Sequence, residues 1–383
     1  MVYHSVRQIL PDLTAHVRPG MEDEVKLPDA WSTTTRPHLH SSRCSRFKDT
    51  LPTWQRTDTN QRATYILEAR CEISSSDIER PAHMVISSDS NFLALSSMGG
   101  WKDRSPIIAY YDPRKEGAEQ GVFKPEYEFT ADLTSSVDDI LLMEDQKLVF
   151  VADHKRIKSY QWTKPRVSRS RTTPLPVHTI ESSKFAGPMA LLSGQLLRAG
   201  KGCIAAWDLD TLQTHGTSGG DIVGARLDDD DMDTWREDTE NIEPSTGTPT
   251  VSHTIKLEGS SISNGREGLP NISTWHQHPS NANIMLCGMD ADESNTYCHA
   301  YDLQAGGKIA NRFIGHGAAI DGFSSSRDAD PNVFLTWCYD SLARLYDVRQ
   351  PLPVMTIQGD KLGGEITSAA FACPDSIPCW YFF

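Results

Sequence analysis

One short pattern recurs along the chain and constrains its fold more than any other feature. A β-prone run ends in an aromatic residue that is usually followed by Asp. It reads Ile108-Ala-Tyr-Tyr111-Asp112, Ile157-Lys-Ser-Tyr160-Gln161, Ile204-Ala-Ala-Trp207-Asp208, Cys298-His-Ala-Tyr301-Asp302 and Ala343-Arg-Leu-Tyr346-Asp347. The aromatics stand at 111, 160, 207, 301 and 346, in steps of 49, 47, 94 and 45. A unit repeated at a fixed period buries its apolar faces against neighbouring copies. Three steps lie near the ~40–45 residues of a four-stranded repeat, and the fourth is twice 47.

The surrounding texture agrees. From about residue 80, short β-prone runs such as Asn91-Phe-Leu-Ala-Leu, Lys147-Leu-Val-Phe-Val-Ala and Ile284-Met-Leu-Cys alternate with turn residues. No long amphipathic helical pattern interrupts them. Many short strands fit a sandwich, a barrel or a propeller, and the repeat selects the propeller. The double step holds either a degenerate blade or a long loop. Residues 213–266 favour the loop, because Asp228, Asp229, Asp230, Asp231 and Asp233 lead into a stretch of charge, Pro, Ser, Thr and Gly. That composition offers too little apolar surface for a packed sheet. The expectation is an acidic, disordered insert at about 213–266, and a mostly disordered region over 1–75 with a short strand near Tyr65-Ile-Leu-Glu-Ala.

The unit from Phe313-Ile-Gly315-His316 to Arg349 carries the most detail. It resembles the WD40 repeat family, whose repeats open with Gly-His and close with Trp-Asp. Thr336 stands for the usual Ser, Asp340 is the internal Asp, and Tyr346-Asp347 closes the unit. The resemblance implies an all-β, WD40-type propeller over residues 76–383. It further implies a buried hydrogen-bond chain through His316, Thr336, Asp340 and Tyr346. One satisfied polar chain of this kind would fix the register of a blade's strands. The other units depart further, since Tyr160-Gln161 lacks the Asp. Five units are recognisable, and Glu365-Ile-Thr-Ser-Ala-Ala-Phe371 reads as the first strand of a sixth. The expectation is therefore an incomplete propeller.

Fold and function are separate inferences. The 51 acidic against 37 basic residues give a net charge of -14, which repels phosphate backbones and makes nucleic acid a poor partner. A basic peptide or protein tail matches better, and Asp228–Asp231 are its candidate contact. The eight cysteines form no C-x-x-C pair, so reduced, buried thiols in the cytoplasm or nucleus are expected rather than a metal site. No apolar leader and no run of ~18 apolar residues suggests a signal or a membrane span. His276-Gln-His278 share a strand face but lack a third ligand, and no nucleotide or hydrolase motif occurs.

The reading that results is a non-enzymatic protein-interaction scaffold without cofactor or metal. The run Tyr346-Asp347-Val348-Arg349 resembles the box of substrate receptors for cullin–RING ubiquitin ligases, which implies that Asp347 orients Arg349 toward an adaptor protein. A reader of basic peptides such as histone tails is an alternative. A propeller hydrolase with an axial metal is another, opposed by the clustering of carboxylates in one loop. The basic segment Lys155-Arg156 and Lys164–Arg171 reads as a polar inter-strand loop.

Overall fold

The computed structural model describes residues 72–73, 78, 81–89, 91–99, 106–112, 122–133, 135–162, 166–167, 174–227, 243–258, 262–263, 266–267, 271–289, 297–325, 331–358, 366, 368–370 and 381–382. These residues contain strands and turns and no helix. The strand proposed near Tyr65 lies outside them.

The fold is all-β, with five four-stranded antiparallel sheets that are the blades of a β-propeller. Near the start, β1 (Glu72–Ile73) pairs in parallel with β5 (Val122–Phe123). Blade 1 has the order β2 (Pro81–Ile86), β3 (Leu93–Ser97), β4 (Ile107–Tyr111) and β6 (Tyr127–Thr130). Blade 2 comprises β7 (Asp139–Met143), β8 (Leu148–Ala152), β9 (Arg156–Gln161) and β12 (His178–Glu181), with a side pair of β10 (Arg166–Val167) and β11 (Pro174–Leu175). Blade 3 comprises β13 (Met189–Leu192), β14 (Gln195–Gly200), β15 (Cys203–Asp208) and β16 (His253–Lys256). A small hairpin, β17 (Ile262–Ser263) and β18 (Arg266–Glu267), precedes blade 4. Blade 4 is β19 (Ile272–Gln277), β20 (Ile284–Met289), β21 (Cys298–Asp302) and β22 (Lys308–Phe313). Blade 5 is β23 (Ile320–Ser325), β24 (Val333–Cys338), β25 (Leu342–Asp347) and β26 (Met355–Gln358). Beyond it, β27 (Ala369–Ala370) pairs with β28 (Tyr381–Phe382). The strand expected over Glu365–Phe371 is thus present only at Ala369–Ala370 among the described residues.

The chain divides into two compact units. Blades 1–3 lie in the unit of Cys71–Ile272 with Leu303–Lys308, and blades 4 and 5 lie essentially in the unit of Ser273–Asp302 and Ile309–Phe383. In each blade the second and third strands are covered on both faces, so their apolar residues stand on both sides of the sheet and the polar ones among them need buried partners. Leu148-Val-Phe-Val-Ala152 is wholly buried. Between blades 1 and 2 the core is built from Ile108, Tyr110, Phe129, Val149, Val151 and Tyr160. Blades 2 and 3 meet through Phe150, Ile157, Leu196 and Trp207. In the second unit, Leu286, Phe313, Phe334 and Tyr346 form the corresponding layer.

A buried cation ties blades 2 and 3. The fully buried Arg198 donates from Nη2 to the Asp153 carbonyl at 2.7 Å and to Asp138 Oδ2 at 3.2 Å, and from Nε to the Gly187 carbonyl at 3.2 Å. Each bond offsets part of the cost of removing the guanidinium from water. The turn between β13 and β14 is a two-residue loop, Ser193-Gly194, with φ of 50° and 77°. Positive φ at both positions matches the twist of the flanking strands.

Much of the stretch 213–266, expected as a disordered insert, is packed structure among the described residues. His215, Val223, Glu243 and Ser245 are buried, and β16 at His253–Lys256 is the fourth strand of blade 3. Composition averaged over the stretch hid these anchors, because acidic residues 228–242 dominate it. No complete extra blade lies between β15 and β19 among the described residues. The basic segment is also corrected at Arg156, which is buried within β9.

Candidate functional site

Three of the four residues assigned to the polar chain of blade 5 meet directly. His316 Nε2 lies 3.0 Å from Thr336 Oγ1. The Tyr346 hydroxyl donates to the Ile314 carbonyl at 2.9 Å, and its ring stacks on His316 with centroids 5.4 Å apart. Burial, helped by the Arg344 cation and opposed by Asp340, lowers the His316 pKa to about 3, so the imidazole is neutral at pH 7. Asp340 joins by another route. It accepts from the Gly317 amide at 2.7 Å and the Leu342 amide at 3.1 Å, and it pairs with both terminal nitrogens of Arg344 at 2.5 and 3.0 Å. The Asp therefore fixes the turns that flank His316 rather than the imidazole itself.

The recurring aromatics occupy one shared register position on the third strand of each blade. Tyr160 stands opposite Val149, Trp207 opposite Leu196, Tyr301 opposite Met285 and Tyr346 opposite Phe334. In every case the partner is the second residue of the second strand. In blade 1 that position belongs to Tyr110, opposite Ala94, whereas Tyr111 is opposite Leu93. Tyr111 faces the other side of the sheet and packs with Leu93 and Ala109. The Tyr110-Tyr111 dipeptide offers both residues, and Asp112 draws attention to the wrong one. A one-residue slip reverses the face of every side chain in a strand. Asp208 and Asp302 end their strands, and Asp208 Oδ1 accepts from the Asp210 amide at 3.1 Å.

At the end of blade 5, Asp347 and Arg349 form a forked pair. Arg349 Nε donates to Oδ1 at 2.7 Å and Nη2 to Oδ2 at 2.6 Å, with the Arg349 amide also on Oδ1 at 3.0 Å. The Asp347 side chain is 10% exposed and that of Arg349 is 54% exposed. A planar cation is thus held in one orientation while keeping a face toward solvent. Asp228, Asp229, Asp230 and Asp231 lie outside the described residues.

A buried polar cluster that the sequence reading missed lies along the outer edge of blade 2. Two stretches, 213–227 and 243–248, form a strap against β9 and β12. Thr248 donates its amide to the Thr179 carbonyl at 2.9 Å, and the Glu181 amide donates back to the Thr248 carbonyl at 3.1 Å. The strap closes on itself where the Leu227 amide meets the Pro244 carbonyl at 2.7 Å. An outer strand exposes unpaired backbone groups unless it is covered, and the strap covers this one. At its centre Lys158 Nζ stands 3.4 Å from Glu243 Oε2. Glu243 Oε1 accepts from the Ser245 amide at 2.9 Å, and His215 Nε2 lies 2.8 Å from Thr179 Oγ1. Burial lowers the Lys158 pKa, with Glu243 pulling against it. Burial alone would raise the Glu243 carboxyl, but Lys158 and the Ser245 bonds bring it below the usual range. Lys158 and Ser159 were the available signal, since polar residues on a blade's third strand need buried partners.

The first unit also bears a cleft of about 610 Å³ at the hairpin ends of blades 1 and 2, lined in part by Phe92, Tyr110, Trp162, Asp112, Glu126 and Glu144. A smaller one of about 240 Å³ adjoins it, lined by Leu142, Met143, Leu191 and Leu192 among others, and Glu144 borders both. Neither was foreseen, because each wall comes from turns distant in sequence. His276 lies on β19 but His278 follows the strand's last residue, Gln277, so the two do not share a strand face; each has a serine close by, His276 Nε2 at 2.8 Å from Ser325 Oγ and His278 Nδ1 at 3.3 Å from the Ser280 amide.

No known family model matches this chain, and no curated protein does. The repeated blades and their register therefore carry the structural argument by themselves.

Proposed function

We propose that this chain is a non-enzymatic interaction scaffold of the WD40 repeat class, acting on other proteins inside the cell. A propeller fold suits that role generally, because rigid blades hold their turns in fixed positions. The observation that carries the reading is the Asp347–Arg349 pair. The buried carboxylate holds a half-exposed guanidinium by two bonds, so a partner's carboxylate meets a cation whose orientation is already set. Tyr346, His316 and Thr336 are consumed in holding the blade together, which supports a structural role for the signature residues.

The same pair supports a finer reading as a substrate receptor of a cullin–RING ubiquitin ligase, in which Arg349 contacts the adaptor. The test is binding of the purified adaptor to the full chain and to its Arg349→Ala variant. The receptor reading expects at least a ten-fold loss, and undiminished binding overturns it. Capture of cross-linked partners on the same two proteins tests the broader reading. Partners that bind the native chain and are lost from the variant are expected; recovery of none with either would reject a scaffold acting through this surface. The net charge of -14 favours a basic segment in the partner through long-range attraction.

A further inference from the structure

We propose that the larger cleft of blades 1 and 2 is a docking site for a proline-rich segment of a partner protein. The site is separate from Arg349, and its test does not depend on the reading of blade 5.

The polar groups of the cleft wall divide by what they already hold. Its carboxylates are engaged. Asp89 accepts from the Ser87 hydroxyl and from the Asn91 side chain, each at 2.6 Å. Glu144 accepts from the Ser88 amide at 2.6 Å and from the Ser88 hydroxyl at 2.5 Å. Asp112 and Glu126 have partners as well. The donors of the wall stand otherwise. Among the described residues, the Trp162 indole N–H, the Tyr127 hydroxyl and the Lys147 ammonium make no hydrogen bond or ion pair, and Tyr127 is 44% exposed. The ligand that completes this wall therefore brings acceptors. An anion is opposed by four carboxylates against one lysine, so the acceptors belong to a neutral ligand.

The aromatic floor narrows the choice further. Trp162 packs on Phe92 with ring centroids 4.4 Å apart, and Phe92 stands edge to face with Tyr110 at 5.0 Å. An ordinary peptide laid on this floor brings an N–H at every residue, and an N–H taken from water without a partner costs free energy. Proline has no N–H to lose. A proline-rich segment offers apolar rings and carbonyl acceptors, and it holds the polyproline II form, three residues per turn without internal hydrogen bonds, before it binds. Aromatic-lined grooves are the surfaces that take such segments. The volume of about 610 Å³ lies within the ~300–1,000 Å³ of sites that enclose a ligand. The cleft is also set in advance. The Glu144–Ser88 bonds join the β7–β8 turn to the β2–β3 turn, and the Trp162 amide donates to the Lys147 carbonyl at 3.1 Å. A rigid ligand meeting a rigid cleft loses little freedom on binding.

The test uses the full chain and a fluorescein-labelled octaproline peptide, with binding read by fluorescence anisotropy. The L-proline peptide is expected to bind. Two controls of the same length should bind ~10-fold more weakly or not at all: one with Ala and Ser in place of Pro, which restores the N–H groups, and one of D-proline, which has the same atoms and the opposite helical hand. Trp162→Ala should weaken the L-proline peptide ~10-fold or more. Trp162→Phe keeps a ring and removes the N–H, and Tyr127→Phe removes the hydroxyl; each should weaken binding ~5-fold, the worth of one hydrogen bond. Tyr339→Phe, at an exposed tyrosine of the β24–β25 turn, leaves binding unchanged. Unaltered thermal melting shows that each variant folds. Equal binding of the L-proline peptide and either control overturns the proposal. Native affinity in both phenylalanine variants of the cleft overturns it as well.

Discussion

Replacing Glu243 with Gln asks whether charge holds the strap on blade 2. Lys158 is 0% exposed and Glu243 5% exposed, with 3.4 Å between Nζ and Oε2. Gln preserves the shape of the side chain but leaves a buried ammonium facing a neutral amide. Breaking a buried pair by removing one partner costs ~3–5 kcal/mol. Two features place this case at the lower end. The separation exceeds the ~2.7–2.9 Å of a strong charge-assisted bond, and burial already lowers the Lys158 pKa, so the lysine can release its proton instead of remaining charged. The expected loss is ~3 kcal/mol. Lys158→Met leaves Glu243 with the Ser245 amide at 2.9 Å and should cost less, ~1–2 kcal/mol. The double variant removes both charges, which is often close to neutral for a buried pair, so the two substitutions should couple by ~2 kcal/mol or more. Urea unfolding of the four proteins at pH 7 measures this. A loss under ~1 kcal/mol for Glu243→Gln, or simple additivity in the double variant, would refute the electrostatic account of the strap.

Three further outcomes follow from the same geometry. Burial lowers the pKa of His178 to about 4 and that of His316 to about 3, so the fold favours their neutral forms. Their contribution is complete above the unfolded value of about 6.5 and is withdrawn as pH falls toward those lower values, at ~1.36 kcal/mol per pH unit for each histidine. Urea midpoints should therefore fall steadily from pH 7 to pH 4.5, and a flat profile would contradict neutral, buried imidazoles. Gly247 has φ of 99°, and a Cβ there would lie 2.7 Å from the Glu181 amide nitrogen. Gly247→Ala should cost ~1–3 kcal/mol and speed amide exchange at Glu181 and Thr248, leaving β14 and β15 protected. Tyr346→Phe removes the donor to the Ile314 carbonyl and should cost ~1–2 kcal/mol by urea unfolding, with far-ultraviolet dichroism unchanged.

The blades were legible in the sequence because their signal is local. A third strand such as Cys203–Asp208 is apolar, short and closed by Trp207-Asp208, and four of the five aromatics sit at the shared position without adjustment. Blade 1 was misread by one residue because adjacent tyrosines satisfy the same pattern and only pairing with Ala94 separates them. The His316–Thr336 contact was also readable, through resemblance to a known repeat. Asp340 was not placed correctly, since nothing in its spacing shows that Arg344 and the Gly317 amide take its oxygens. The strap was invisible for a different reason. Glu243 meets Lys158 across 85 residues, and its charge merged with that of the acidic stretch before it. The clefts are the extreme case, since turns from separate blades build them and no periodicity records such a meeting.

The account rests on the register of the third strands, and an experimental structure of the full chain tests it most directly. Tyr110, Tyr160, Trp207, Tyr301 and Tyr346 should each lie opposite the second residue of the preceding strand, within five separate four-stranded antiparallel sheets. Tyr111 opposite Ala94, or a helix in place of any strand of the five blades, would contradict it.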